Sequence, residues 1–291
     1  MDVPGISART RVCAVMGDPV EHSLSPQIHN AAFAACGLDF AYVAFHVARG
    51  DAAQALAGVR ALGIRGLSVT IPHKLDVIAH LDKVDATARR MGSVNTIVND
   101  AGALTGYSTD GPGALRALAA EGVDPAGKRV LILGSGGAAR AVAFTLAELD
   151  PRPRMCILGV EAAELERLAA DLRAHAGAAP EAAALAPERL AAAVKDADIV
   201  VHATPVGMTP RVEASLVPPG LIGPRHTVFD VVYTPRETRL LADAKAAGAK
   251  VVPGLGMFVG QAAVQFELWT GRPAPVDVMT RAALSALGGE R

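Results

Sequence analysis

Two short segments of the chain carry residue types suited to moving a proton. "GLSVTIPHK", residues 66 to 74, ends an apolar run with Ser68, Thr70 and Lys74, and "GYSTDGPG", residues 106 to 113, sets Asp110 at the entrance to a helical pattern. A lysine where a helix starts opposes the helix dipole, which weakens its reading as an ordinary solvated charge, whereas an aspartate there can serve simply as a cap. If the two converge at strand ends they form a proton-transfer pair: Lys74 supplies or takes the proton, and Asp110 orients it and tunes its pKa.

Two further segments suit anions. In "GDPVEHSLSPQIHN", residues 17 to 30, Ser25 precedes Pro26 in the order N-cap then N1, so a helix is expected to begin there with Ser25 as its cap. The same helix end favours a carboxylate, to which Ser23 and Ser25 can both donate. In "RVLILGSGGAARAV", Gly134, Gly136 and Ala139 match G-x-G-x-x-[G/A] between a buried strand pattern and a helix, which is the setting for a dinucleotide pyrophosphate; outside that setting such a match is only a tight turn. His22, His29, His46 and His73 follow no ligand spacing and are joined by no cysteine or carboxylate cluster, so no metal is expected.

The elements that must hold these residues follow from the patterning. "VCAVMG", "FAYVAFHV" and "LSVTI" read as strands alternating with the helical "PQIHNAAFAACG", "AAQALAGVRALG" and "LDVIAHL", which argues for an α/β fold with a mostly parallel sheet and helices on both faces. "NTIVNDAGALTGY" interrupts the alternation with the turn signal of a β-hairpin. A second series begins at the glycine-rich loop and continues through "MCILGV", "DIVVHAT", "TVFDVVY" and "AKVVPG". The alanine-rich tract from Ala174 to Ala193 reads as a surface helix, because "PERLAAAVKDA" keeps helical spacing. At 291 residues with 51% hydrophobic content the chain can bury the cores of two domains. Its 28 Lys plus Arg against 29 Asp plus Glu give no electrostatic case for nucleic acid or an anionic membrane, which leaves a small neutral or anionic ligand. Three dispersed cysteines, no leader and no apolar run long enough to span a bilayer place the expected site of action in the cytoplasm.

In this order, "GDPVEHSLSPQIHN", "GLSVTIPHK", "GSVNT", "GYSTDGPG", "GSGGAARA", "HATPVGM", "VFDVVYTPRETRLL" and "GLGMFVGQAAVQFELWTG" resemble the motif series of the shikimate/quinate dehydrogenase family, from about residue 12 to residue 285. The resemblance implies an N-terminal α/β substrate domain (1–112, completed by 258–291) and a C-terminal Rossmann domain (113–257), whose last helices pack back on the first domain. It implies oxidation of a ring hydroxyl of shikimate, quinate or a close analogue by a nicotinamide cofactor, in aromatic amino acid biosynthesis through the chorismate pathway, by a monomer or homodimer. Ser23 and Ser25 would hold the ring carboxylate, and Lys74 and Asp110 would act beside the reacting hydroxyl. Ser68, Thr70, Asn95, Tyr233 and Gln261 would surround the ring. Gly134, Gly136, Gly137 and Ala138 would form the cofactor loop, with Glu161 near the adenosine ribose and Thr204, Met208 and Gly254 to Met257 near the nicotinamide.

The departures shape two further expectations. Ser68 and Ser108 stand where relatives similar to this chain have Asn, and His202 replaces the Asn of "NATPxGM"; the shorter serines are expected to leave room for quinate or another substituted ring acid. In "ILGVEAAELERL", residues 157 to 168, Gly159, Val160 and Glu161 align with the "NRT" of NADP-using members and Glu164 with a later basic residue. With both basic positions lost and carboxylates in their place, NAD is expected to be favoured over NADP. The rival to an enzyme is a catalytically idle module that senses dinucleotide or ring acid, and retention of both Lys74 and Asp110 favours the enzyme.

Overall fold

The structure, a computed structural model, describes residues 5–288. The chain forms two compact units, Met1–Thr109 with Val259–Arg291, and Asp110–Phe258. In the first, β1 (Arg11–Gly17), α1 (Ser25–Ala35), β2 (Phe40–His46), α2 (Ala52–Ala61) and β3 (Gly66–Val69) lead to the two-residue β4 (Lys83–Val84), α3 (Ala86–Met91), β5 (Thr96–Asp100) and β6 (Ala103–Tyr107). Their sheet runs β2-β1-β3-β5-β6-β4. β1 pairs in parallel with β2 and β3, and "CAVM" on it is buried on both faces, as a central parallel strand requires. β5 and β6 are antiparallel and closed by Ala101 (φ 52°) and Gly102 (φ 94°), the left-handed pair of a two-residue hairpin turn, and β3 pairs antiparallel with β5, while the pairings of β1 with β2 and β3 and of β4 with β6 are parallel.

The second unit starts with α4 (Asp110–Ala120) and then alternates β7 (Arg129–Leu133), α5 (Gly137–Ala147), β8 (Arg154–Gly159), α6 (Ala162–Ala176), β9 (Glu181–Ala184), α7 (Pro187–Asp196), β10 (Ile199–His202), β11 (Thr227–Asp230), α8 (Arg239–Ala246) and β12 (Lys250–Val252). The strands are all parallel in the order β12-β11-β10-β7-β8-β9, the doubly wound arrangement whose order reverses between β7 and β10. Ligands of such sheets sit outside the strand carboxyl ends at that reversal, which here are Leu133 and His202. Finally α9 (Gly254–Thr270) carries the chain from the second unit back into the first, where α10 (Val276–Gly288) packs on α1. No helix among the described residues is long and apolar enough to cross a membrane.

Two expected helices take other forms. "LDVIAHL" yields only a five-residue 3-10 helix, Asp76–His80. The alanine tract divides into the end of α6, the edge strand β9 and α7. Alanine has little strand preference of its own, and "EAAA" is a strand because β8 offers it a ladder, Cys156 facing Glu181 through Gly159 facing Ala184.

Candidate active site

The start of α1 divides the work of the two serines differently from the sequence expectation. The helix starts at Ser25 itself, and its N-cap residue is Leu24 (φ −83°, ψ −2°), which provides no side-chain cap; Ser23 Oγ accepts the Ser25 N–H at 3.3 Å. Ser25 is buried at 6% exposure. Tyr42 is the one residue of β2 that is fully buried.

From Tyr42 a line of buried hydrogen bonds crosses the first unit. Ser68 Oγ on β3 lies 2.6 Å from Tyr42 Oη and donates to Gln265 Oε1 on α9 at 3.0 Å, so it must accept the tyrosine proton. Gln265 Nε2 donates to Thr96 Oγ1 at 2.9 Å, and Thr96 in turn donates to Asn95 Oδ1 at 2.9 Å. Asn95 Nδ2 donates to Thr109 Oγ1 at 3.0 Å, and the Thr109 N–H returns to Asn95 Oδ1 at 2.8 Å. Every member is buried, which fixes the orientation of both amides and makes each unpaired atom costly. Burial pushes the Tyr42 phenol up, against the smaller opposing effect of its hydrogen bond to Ser68. The ring of His29 stacks on Tyr42 at 4.5 Å and 10°, and burial lowers its pKa to about 3, so it packs as a neutral ring.

Lys74 is half-buried in the turn after β3, where its carbonyl accepts the Val94 N–H at 2.9 Å. The 3-10 helix begins only at Asp76, so Lys74 does not start a helix and the dipole argument for its unusual character falls away. Thr70 is half-buried just beyond β3, and Gln261 is half-buried on α9, one turn before Gln265. Ser108 turns inward and donates to Met91 Sδ at 3.2 Å. The hydroxyls of Ser68 and Ser108 are thus both engaged by internal partners, and the room expected beside them is occupied at Ser68 by Tyr42 and Gln265.

In the second unit Asp110 is the first residue of α4 and is half-buried. Gly134 closes β7 at φ 115°, and a Cβ there would lie 2.6 Å from the Ala203 carbonyl oxygen. At Gly136 and Gly137 a Cβ would meet nothing within 4 Å, so the backbone leading into α5 is open to close approach by a phosphate. Gly137 and Ala138 form the first turn of that eleven-residue helix. These donors fit a dinucleotide pyrophosphate. Thr204, half-buried beyond β10, holds a hydrogen bond to His202 Nε2 at 2.6 Å, and the His202 Nδ1 lies 2.8 Å from Asp230 Oδ1. Met208 is 45% exposed, Gly254 and Met257 are buried at the start of α9, and Tyr233 stacks on Phe258 at 4.8 Å with its phenol pushed up by burial.

Sequence reasoning missed Tyr42, Gln265 and Asp230. A signal existed for Gln265: it stands four residues after Gln261 on a segment otherwise almost wholly apolar, so the two glutamines share one helix face. Tyr42 and Asp230 carried no comparable mark.

Known proteins of one family match this chain from end to end. The profile described as the shikimate dehydrogenase substrate binding domain matches residues 15–97, and that of the shikimate 5'-dehydrogenase C-terminal domain matches residues 254–284. A protein of Moorella thermoacetica named shikimate dehydrogenase (NADP(+)) is 50% identical over 97% of this chain and 96% of its own. One of Symbiobacterium thermophilum with the same name is 48% identical over 96% of both. The crystal structure of shikimate 5-dehydrogenase from Listeria monocytogenes in complex with shikimate and NAD is 37% identical, with a TM-score of 0.90 over 96% of this chain and 98% of that one.

The NADP(+) names of these relatives overturn the expectation that NAD is favoured over NADP. The physical reason lies at the start of α6. Glu161 is exposed and makes no side-chain cap, so its carboxylate is not fixed toward a ribose hydroxyl. The unpaired N–H groups of the first turn of α6 can face a phosphate whatever the side chains are, and the sequence argument counted only side chains. With likeness of this extent over both units, the chain belongs to the shikimate dehydrogenase family.

Proposed function

We propose that the protein interconverts shikimate and 3-dehydroshikimate by reversible hydride transfer with NADP(H). The observation that carries this reading is the 50% identity across 97% of the chain to a protein named shikimate dehydrogenase (NADP(+)). When bound, the nicotinamide accepts the hydride in one direction and returns it in the other. The protein's part is binding, orientation and the proton. Ser23 and Ser25 hold the ring carboxylate at the start of α1, while Ser68, Thr70, Asn95, Gln261 and Tyr233 order the ring substituents. Lys74 takes the hydroxyl proton as the carbonyl forms and gives it back in reduction, and Asp110 is the second residue of the proposed catalytic pair. Gly134, Gly136, Gly137 and Ala138 receive the pyrophosphate, Glu161 lies toward the adenosine ribose, and Thr204, Met208, Gly254 and Met257 border the nicotinamide. The protein acts in the cytoplasm on a small ring acid, as a monomer or homodimer.

The support for these roles is chemical. The buried line from Tyr42 to Thr109 gives the first unit a polar floor with set donor and acceptor directions, which suits a polyhydroxylated ring. The test is the initial rate of shikimate oxidation with NADP. No turnover in either direction, with shikimate and NADP or with 3-dehydroshikimate and NADPH, refutes the proposal.

A further inference from the structure

Behind Thr204 lies a buried relay that the roles above leave unused. Asp230, at the end of β11, is 0% exposed and His202, at the end of β10, is 1% exposed. Asp230 Oδ2 accepts the Thr238 hydroxyl at 2.6 Å, and Oδ1 accepts the Val232 N–H at 3.0 Å as well as facing His202 Nδ1 at 2.8 Å. A carboxylate so engaged only accepts, so Nδ1 carries a proton, and in the neutral imidazole Nε2 is left as the acceptor. Thr204, 2.6 Å from that nitrogen, must then donate its only hydroxyl proton to it. One lone pair of Thr204 Oγ1 takes the Val206 N–H at 3.3 Å, and among the described residues the other has no donor. The threonine is held firmly: its Cγ2 would lie 3.1 Å from a Cβ at Gly134, so it packs directly against the cofactor loop.

We infer that His202 is a positioning residue, which Asp230 holds and which fixes the Thr204 hydroxyl as an acceptor for an amide N–H donor, the carboxamide of bound nicotinamide. The inference rests on the proposal that Thr204 borders the nicotinamide, and it explains what a histidine does at this place: it spans the distance from the aspartate to the threonine with one donor and one acceptor. Loss of one such hydrogen bond, worth about 1 kcal/mol, corresponds to a roughly 5- to 10-fold loss of affinity.

The experiment is titration of the protein with NADPH, followed by nucleotide fluorescence, beside a competition titration with 2′-phospho-ADP-ribose, which has the phosphates but no nicotinamide. Thr204→Val should weaken NADPH roughly 5- to 10-fold, leave 2′-phospho-ADP-ribose within about twofold, and be rescued by Thr204→Ser. His202→Leu should weaken NADPH similarly, and His202→Leu/Thr204→Val should be no weaker than Thr204→Val alone. NADPH affinity of Thr204→Val within twofold of wild type, or equal losses for both nucleotides, overturns the inference; so does an additive double variant. If His202→Leu does not fold, the two Thr204 variants decide the matter. Turnover of shikimate by the wild type is scored separately, so a failed dehydrogenase assay counts against the proposed function and a flat NADPH titration against the role of His202.

Discussion

Replacing Gln265 by methionine tests the buried line of hydrogen bonds in the first unit. The substitution keeps the length and nearly the volume of the side chain, so it opens no sizeable cavity and isolates the polar contribution. Two short hydrogen bonds disappear, from Ser68 Oγ at 3.0 Å and to Thr96 Oγ1 at 2.9 Å, while the 3.4 Å contact to the Asn95 carbonyl is too long to weigh much. A buried polar group left unsatisfied costs ~1–3 kcal/mol, but Ser68 keeps its bond to Tyr42 and Thr96 keeps its bond to Asn95, which places each loss in the lower part of that range. The expected destabilisation is therefore ~2–4 kcal/mol, a large share of the ~5–15 kcal/mol of a typical protein. The chain has a single tryptophan, Trp269, which is 1% exposed, lies on the same helix as Gln265 and donates to the Ile97 carbonyl at 3.0 Å. Its fluorescence during urea unfolding reports on the first unit and avoids treating the whole chain as one transition. A loss below ~1 kcal/mol at unchanged m-value would show that the network does not hold the first unit as described. The same reasoning requires Ser68→Ala with Gln265→Met to cost less than the sum of the single changes, since the serine hydroxyl is then no longer stranded.

Other outcomes are open to direct measurement. Lys74→Ala or Asp110→Ala should lower kcat at least ~10²-fold while leaving NADPH affinity near that of the wild type; near-normal kcat in both would remove the proposed proton-transfer pair. Ser23→Ala/Ser25→Ala should raise KM for shikimate more than it lowers kcat, because a carboxylate remote from the reacting carbon is bound alike in ground and transition states. In the single variants, Ser25→Ala should show no helix-capping penalty of the usual ~1 kcal/mol in melting, because Leu24 holds the N-cap position. Wild-type kcat/KM should favour NADP over NAD, and Val160→Arg with Glu161→Thr should raise that ratio further by adding a cation at an exposed position beside the start of α6; an unchanged ratio would place the 2′-phosphate elsewhere.

What the amino-acid order made legible was chiefly what local chemistry specifies. "NDAG" demands left-handed residues and became the Ala101–Gly102 turn, and a strand pattern meeting "GSGG" and then a helical pattern became β7, an open loop and α5. What escaped depends on neighbours distant in sequence. Nothing in "EAAA" marks a strand until β8 supplies its ladder, and nothing at Gln265 says that its amide meets Ser68 and Thr96, residues contributed by the other end of the chain. Ser25 beside Pro26 read as a cap because proline favours the first helical turn, yet proline is tolerated one residue later too, and the helix starts at Ser25 with Leu24 in the N-cap position. The cofactor expectation failed for a related reason: charges on side chains are visible in a sequence, whereas the N–H groups at a helix start are common to every sequence.

The split of the first unit, left at Thr109 and resumed at Val259, bears on the order of events during synthesis. The second unit is one continuous stretch and can complete its six-stranded sheet as soon as it clears the ribosome. The first cannot. Trp269, whose indole occupies the space where Gly66 lacks a Cβ, and Gln265, which ties β3 to β5, are translated long after the strands they pack against. From Thr109 to Val259 is 259 − 109 = 150 positions, which at ~5–20 residues per second leaves the early strands without their closing helix for roughly 8–30 s. During that interval the apolar face awaiting α9 is exposed to solvent and to chaperones, so a nascent chain stalled just after the second unit would present one finished domain and one unsealed core.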